Sequence, residues 1–107
     1  MARVVAVSSD LLLGSKVEAT LSAAGHSVTL SSTPADVPID EAELIVADLD
    51  TADPQALAAL GIPVLGYYSH VNVETRQAAE AAGIPEAVPR SRLVREMPQL
   101  VERLLSP

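Results

Sequence analysis

Short, uninterrupted apolar runs, separated by stretches with helical spacing, most limit what this chain can fold into. The runs are Val4-Val5-Ala6-Val7, Val28-Thr29-Leu30, Leu44-Ile45-Val46-Ala47, Pro63-Val64-Leu65-Gly66-Tyr67 and the weaker Ala87-Val88. They are continuous rather than alternating, the pattern of strands covered on both faces of a parallel sheet. Between them lie helical stripes. Leu13, Val17, Leu21 and Ala24 recur at i, i+4, i+8 and i+11, and Gly25 follows as a stop. Val71, Thr75, Ala78 and Ala82 repeat that logic up to Gly83. Leu93, Met97, Leu100 and Leu104 form the last stripe, with Val94, Val101 and Leu105 beside it. Its period runs through Pro98, which predicts one kinked helix or two short helices in phase.

Strands alternating with helices predict an α/β three-layer sandwich with right-handed crossovers. Five strands point to a flavodoxin-like parallel sheet in the order 2-1-3-4-5. The second helix is reduced. Ser31 to Glu43 contains Pro34, Asp36, Pro38 and Asp40, which leave room for a single turn or a loop. The helix near Pro54 to Leu60 is also short. Residues 1–107 read as a single domain, without repeat or linker.

Composition removes whole classes of function. At 49% hydrophobic residues the chain is not of the disordered class. It has no cysteine, hence no disulfide, thiolate metal site or cysteine nucleophile. No apolar run approaches the roughly 20 residues of a membrane span. The start Met-Ala-Arg-Val-Val-Ala-Val-Ser-Ser-Asp breaks off too early for a signal peptide, so a cytoplasmic protein is expected. Scaling predicts roughly 5,700 Å² of exposed surface for this mass, enough burial for an ordinary core. Charge is uneven. Residues 1–60 hold nine acids against Arg3 and Lys16, whereas residues 61–107 hold five acids and five bases. The acidic half disfavours phosphate backbones, and Tyr67 and Tyr68 are the only aromatics, so no nucleic-acid partner is expected.

In a sheet of this kind, ligands bind beyond the carboxyl ends of the strands. Ser8, Ser9 and Asp10 lie there after the first strand; Asp48, Leu49 and Asp50 after the third; Tyr68, Ser69 and His70 after the fourth; Pro89, Arg90 and Ser91 after the fifth. Each has a structural reading. Asp10 is placed to cap the first helix. Asp48 is a candidate helix cap as well as a candidate chemical group. Ser8 and Ser9 are turn residues, or with the adjacent helix N-terminus hold an anion. One of Tyr67 and Tyr68 points into the core while the other faces a partner. Arg92, Arg95 and Arg103 read as a solvated helix face. His26 and His70 lack ligand spacing and read as loop residues, and no metal site is expected. Gly14 stands alone, so neither a dinucleotide fingerprint nor a phosphate loop is present.

The stretches Leu44 to Asp50 and Pro63 through Gly83 to Arg90 carry a resemblance that extends over essentially the whole chain. The sequence resembles the receiver domain of two-component response regulators. That resemblance implies a phospho-acceptor aspartate at Asp48, an acidic metal-binding pair at Ser8 and Ser9, a hydroxyl at Tyr68 with Ser69 next, and a lysine at Arg90. Only Asp48 matches in kind. Two serines cannot replace two carboxylates around Mg²⁺, and phosphoryl transfer to a carboxylate needs such a hard cation. Asp50 completes the altered pocket. Arg90 is expected to pair with Asp48 in place of the lysine. The resemblance is thus to a degenerate receiver, or pseudo-receiver.

The functional expectation is a phosphorylation-independent, non-enzymatic regulatory module that works through protein–protein interaction in signal transduction, without cofactor, metal or membrane. One rival is a true phospho-acceptor using Asp48; another is a small anion- or nucleotide-binding protein. The resemblance implies a partner face, or a weak homodimer, through 71–105, from elements at 71–82, 86–89 and 92–105. Arg76, Arg92 and Arg95 are its interface candidates. There Glu and Arg are interspersed, which permits a self-complementary contact.

Overall fold

The computed structural model describes residues 2–69 and 73–105; the expectations for Val71 and His70 lie outside them. The chain runs β1 (Arg3–Val7), α1 (Leu11–Ala23), β2 (Ser27–Ser31), a 3₁₀ turn (Pro34–Asp36), β3 (Leu44–Asp48), α2 (Pro54–Ala58), β4 (Val64–Tyr68), α3 (Val73–Ala81), β5 (Glu86–Pro89) and α4 (Arg90–Leu105). The strands form one parallel sheet in the order β2-β1-β3-β4-β5, as the element pattern predicts.

Alternate side chains of each strand leave the sheet on opposite faces. On one face Val4, Ala6, Val46, Leu65, Tyr67 and Val88 pack with Leu13, Val17 and Leu21 of α1 and with Leu93, Met97, Leu100 and Val101 of α4. On the other, Val5, Val7, Ile45, Ala47, Val64 and Tyr68 pack with Leu57 of α2 and Ala79 of α3. Leu21, Leu57 and Leu93 are fully buried, each contributing about 1.5–3 kcal/mol relative to exposure. The accessible surface is 5758 Å², close to the value expected from mass.

The helix boundaries have local causes. Asp10 caps α1, its Oδ1 accepting from the Leu12 and Leu13 amides at 3.0 and 3.3 Å. Gly25 and Gly83 follow α1 and α3 with φ of 95° and 83°, which a side chain would oppose. Within α4 the backbone leaves the helical region at Glu96 (φ −120°, ψ 17°), two residues before Pro98. Leu93 precedes this kink and Leu100 follows it, and both are buried. The two short helices are therefore in phase.

Three expectations need correction. The buried residue of α3 is Ala79, whereas Ala78 is exposed. Thr75 and Ala82 are half-buried, as the stripe requires, but in a run of alanines no large side chain marks the inward residue, and the middle position shifts by one. Tyr67 and Tyr68 are both buried, at 2% and 5% exposure, because helices cover both faces of β4. Neither therefore faces a partner. Finally, β2 is not covered on both faces: Ser27, Thr29 and Leu30 are exposed. It is an edge strand, and the 3₁₀ turn that follows it is too short to cover it.

His26 lies in a loop as expected, but it is buried. Its Nδ1 accepts the Ala2 amide at 3.2 Å, and Nε2 lies 3.6 Å from Glu102. Among the described residues no helix is long and apolar enough to cross a membrane.

Candidate functional site

The parallel sheet brings the carboxyl ends of β1, β3, β4 and β5 to one edge. Register places Asp48 beside Tyr67 and Tyr68 beside Pro89. Strand parity puts Asp48 on the same face as Val46 and Tyr67 on that of Leu65, the face covered by α1 and α4.

Ser8 and Asp10 form a compact turn. The Ser8 Oγ accepts the Asp10 amide at 3.0 Å, and its hydroxyl donates to the Asp10 carbonyl at 3.3 Å. Ser9 is exposed. The Asp10 carboxylate is engaged on both oxygens: Oδ1 by the α1 amides, Oδ2 by Arg90 at 3.6 Å. Arg90 thus pairs with Asp10 rather than with Asp48, correcting the expectation. As the first residue of α4, it is directed to the start of α1, the neighbouring helix on the same face.

Asp48 is 7% exposed. Burial pushes its carboxyl pKa above the ordinary range, and the charges of Asp50 and Asp10 add to that rise; the Asp50 amide and the Thr51 hydroxyl oppose it. Its Oδ1 accepts the Asp50 amide at 2.9 Å. This is an aspartate turn, bonding two residues ahead. The cap of α2 is instead Asp53, which accepts the Gln55 amide at 3.0 Å. Asp50 in turn accepts the Ser69 amide through Oδ2 at 2.9 Å, linking the loops after β3 and β4. Leu49 folds over Gly66: a Cβ on that glycine would lie 2.6 Å from Leu49 Cδ1.

The Tyr67 hydroxyl shares a hydrogen bond with Ser8. Its pKa is raised to about 12, chiefly by burial and in smaller part by the charges of Asp48 and Asp10, against the opposing Ser8 hydrogen bond and Arg90 charge. Tyr68, the residue at the resemblance's hydroxyl position, is sunk in the opposite core with Val5 and Val7. Neither the part played by Thr51 nor the Tyr67–Ser8 contact is among the sequence-based expectations. The Asp-x-Asp-Thr run was the available signal for the first; parity along β4 would have given the second.

Among the described residues, no three His, Cys, Asp or Glu side chains are grouped so as to hold a metal ion. The edge gathers Asp10, Asp48, Asp50, Tyr67 and Arg90, with all three carboxylates already accepting backbone amides of neighbouring turns.

No family model and no curated relative matches the sequence. Solved structures do. The HemR receiver domain from Leptospira biflexa matches at 21% identity with a TM-score of 0.80, over 100% of this chain and 96% of that one. Chemotaxis protein CheY4 from Vibrio cholerae matches at 18% identity and a TM-score of 0.81, over 98% and 99% of the two chains. NtrX from Brucella abortus matches at 17% identity and a TM-score of 0.82, over 97% of this chain and 27% of that one. The chain thus spans about a quarter of NtrX and nearly all of the other two. The sheet order, the crossovers and these likenesses agree: the chain has the fold of a response-regulator receiver domain.

Proposed function

We propose that residues 1–107 act as one receiver-like regulatory domain that signals through protein contact without being phosphorylated, in the cytoplasm and without enzymatic activity of its own. The observation that carries this reading is the engagement of Asp10. The nearest carboxylate to the β1 end is held by two backbone amides and by Arg90, while Ser8 and Ser9 offer only hydroxyls. A hard cation that took Asp10 as a ligand beside Asp48 would have to compete with Arg90 for Oδ2, the oxygen not used by the α1 cap. The capping carboxylate also occupies the helix terminus that an anion would seek, which disfavours the anion-binding rival.

The partner face in this reading is built from α3, β5 and α4. Arg76, Glu80, Glu86 and Arg92 line one continuous cleft of about 230 Å³ there. Arg76 pairs with Glu80, Arg92 and Arg95 with Glu96, and Arg103 with Glu86. Val73 is exposed beside Arg76 and Glu80. An exposed apolar side chain next to balanced charges suits a protein contact, including a weak two-fold one.

The test is incubation with acetyl phosphate and Mg²⁺ followed by intact-mass measurement. No phosphoryl increment is expected. An increment that Asp48→Asn removes would establish the phospho-acceptor instead.

A further inference from the structure

The feature left over by this reading is β2. Its register with β1 fixes which backbone groups are used. The Ser27 amide donates to Ala2 and the Ser31 carbonyl accepts from Ser8, so Ser27, Thr29 and Ser31 turn their amides and carbonyls toward β1. Val28 and Leu30 therefore turn theirs outward, presenting two donors and two acceptors along the free edge of the sheet. Edge strands are normally guarded by charge, proline or a bulge. Ser-Val-Thr-Leu-Ser has no charge and no proline, and its register with β1 is unbroken.

The two faces of this edge differ in chemistry. On the α1 face Val28 and Leu30 are only partly covered, and Leu30 is 42% exposed. A cleft of about 90 Å³ adjoins Leu30, floored by Ala6 and Gly14. On the opposite face Ser27 and Thr29 border a second cleft with Pro38, Glu41 and Arg3. A full crossover helix would cover that face; the 3₁₀ turn does not. Arg3 is already paired with Glu43, at 3.4 Å, and Asp40 and Glu41 are exposed on the loop beside it.

We propose that β2 docks an extended segment of a basic partner protein, added to the sheet as a sixth strand. The segment alternates apolar residues, which lie against Val28 and Leu30, with lysines or arginines, which face Asp40 and Glu41. Main-chain bonds to Val28 and Leu30 hold it, and the period-two side chains read it. Charge decides against a second copy as the occupant. It would bring another acidic half, and a β2 without a single base, against this one. The proposal rests on neither the reading of Asp48 nor the α3–α4 face, although the cleft at Leu30 is bordered by Ser8 and Asp10 as well.

The experiment uses the full chain, labelled with ¹⁵N, and the peptide acetyl-Lys-Val-Lys-Val-Lys-Val-Lys-amide. Saturable binding with Kd below about 1 mM is expected. The peptide should slow exchange of the Val28 and Leu30 amides at least about tenfold and leave Thr29 unchanged, because Thr29 already bonds to β1. The Glu-Val counterpart, and the peptide with proline for each valine, should not bind. Leu30→Pro removes an outward amide and an apolar contact of the docked segment while leaving the bonds from β2 to β1 in place, so the fold should persist while binding is lost. If that variant unfolds, Glu41→Lys with Asp40→Lys serves: Lys-Val binding should weaken at least about tenfold by charge reversal. No saturable binding, equal binding of the Glu-Val peptide, or no protection of Val28 and Leu30 would each overturn the proposal. So would sedimentation showing a homodimer that Leu30→Pro dissociates, which makes the occupant a second copy.

Discussion

The Arg90 guanidinium lies 3.6 Å from Oδ2 of Asp10, joining the first residue of α4 to the cap of α1 on one face of the sheet. Both side chains are more than a third exposed. The cap and the ion pair should therefore separate experimentally. Asp10→Asn keeps the cap and removes the pair, and should cost less than about 1 kcal/mol. Asp10→Ala removes both, with about 0.5–2 kcal/mol from the cap alone. Urea unfolding of both variants and of Arg90→Ala checks this. Equal losses for Asn and Ala would mean that the cap contributes nothing.

Asp48 should make stability fall as pH rises through the carboxyl range. Its pKa is raised in the folded state, so the folded protein binds the proton more tightly than the unfolded chain does. The stabilising preference is complete below the unfolded pKa and is lost as pH climbs through the folded one. Asp48→Asn retains an oxygen for the Asp50 amide without the charge. Its denaturation midpoint should exceed that of the parent at neutral pH and converge with it in acid. A lower midpoint at neutral pH would mean that the charge itself is needed.

At the alkaline end Tyr67 governs. Its pKa of about 12 exceeds the ordinary tyrosine value of 10.0, so its contribution is present below pH 10 and is lost between about 10 and 12. The loss amounts to about 2–3 kcal/mol, at 1.36 kcal/mol for each unit. Tyr67→Phe should flatten the decline of stability above pH 10 relative to the parent. An unchanged decline would place the alkaline transition elsewhere.

Gly66→Ala should destabilise by about 1–3 kcal/mol through overpacking, because its Cβ would overlap Leu49. Leu49→Ala costs stability by itself. Combined, the two substitutions should cost less than the sum of the singles, since the smaller side chain vacates the space. Thermal or urea unfolding of the cycle measures this, and strict additivity would refute the steric cause.

On the α3–α4 face, Arg95→Glu sets a carboxylate beside Glu96, whose pKa is held low chiefly by the Arg95 hydrogen bond. Any association through this face should weaken and lose part of its salt dependence. Sedimentation at high protein concentration and pull-down of a bound protein report it. Association that the substitution leaves unchanged would move the contact elsewhere.

The order of elements, the parallel sheet and the stops at Gly25 and Gly83 were legible in the chain itself. Continuous apolar runs, an aspartate before a helix and a glycine after one are local signals, and local geometry obeys them. Tertiary structure alone decided the rest. Arg90 took Asp10 rather than Asp48 because helices α1 and α4 start beside each other on one face, a relation between residues 80 positions apart. Both tyrosines of β4 became core because a central strand has two covered faces. The inward phase of α3 depended on which small alanine met the sheet, and alanines carry no pattern. The exposure of β2 followed from its place at the edge and from a crossover too short to cover it. Sequence alone cannot count a strand's neighbours, because neighbours are assigned only when the sheet closes around them.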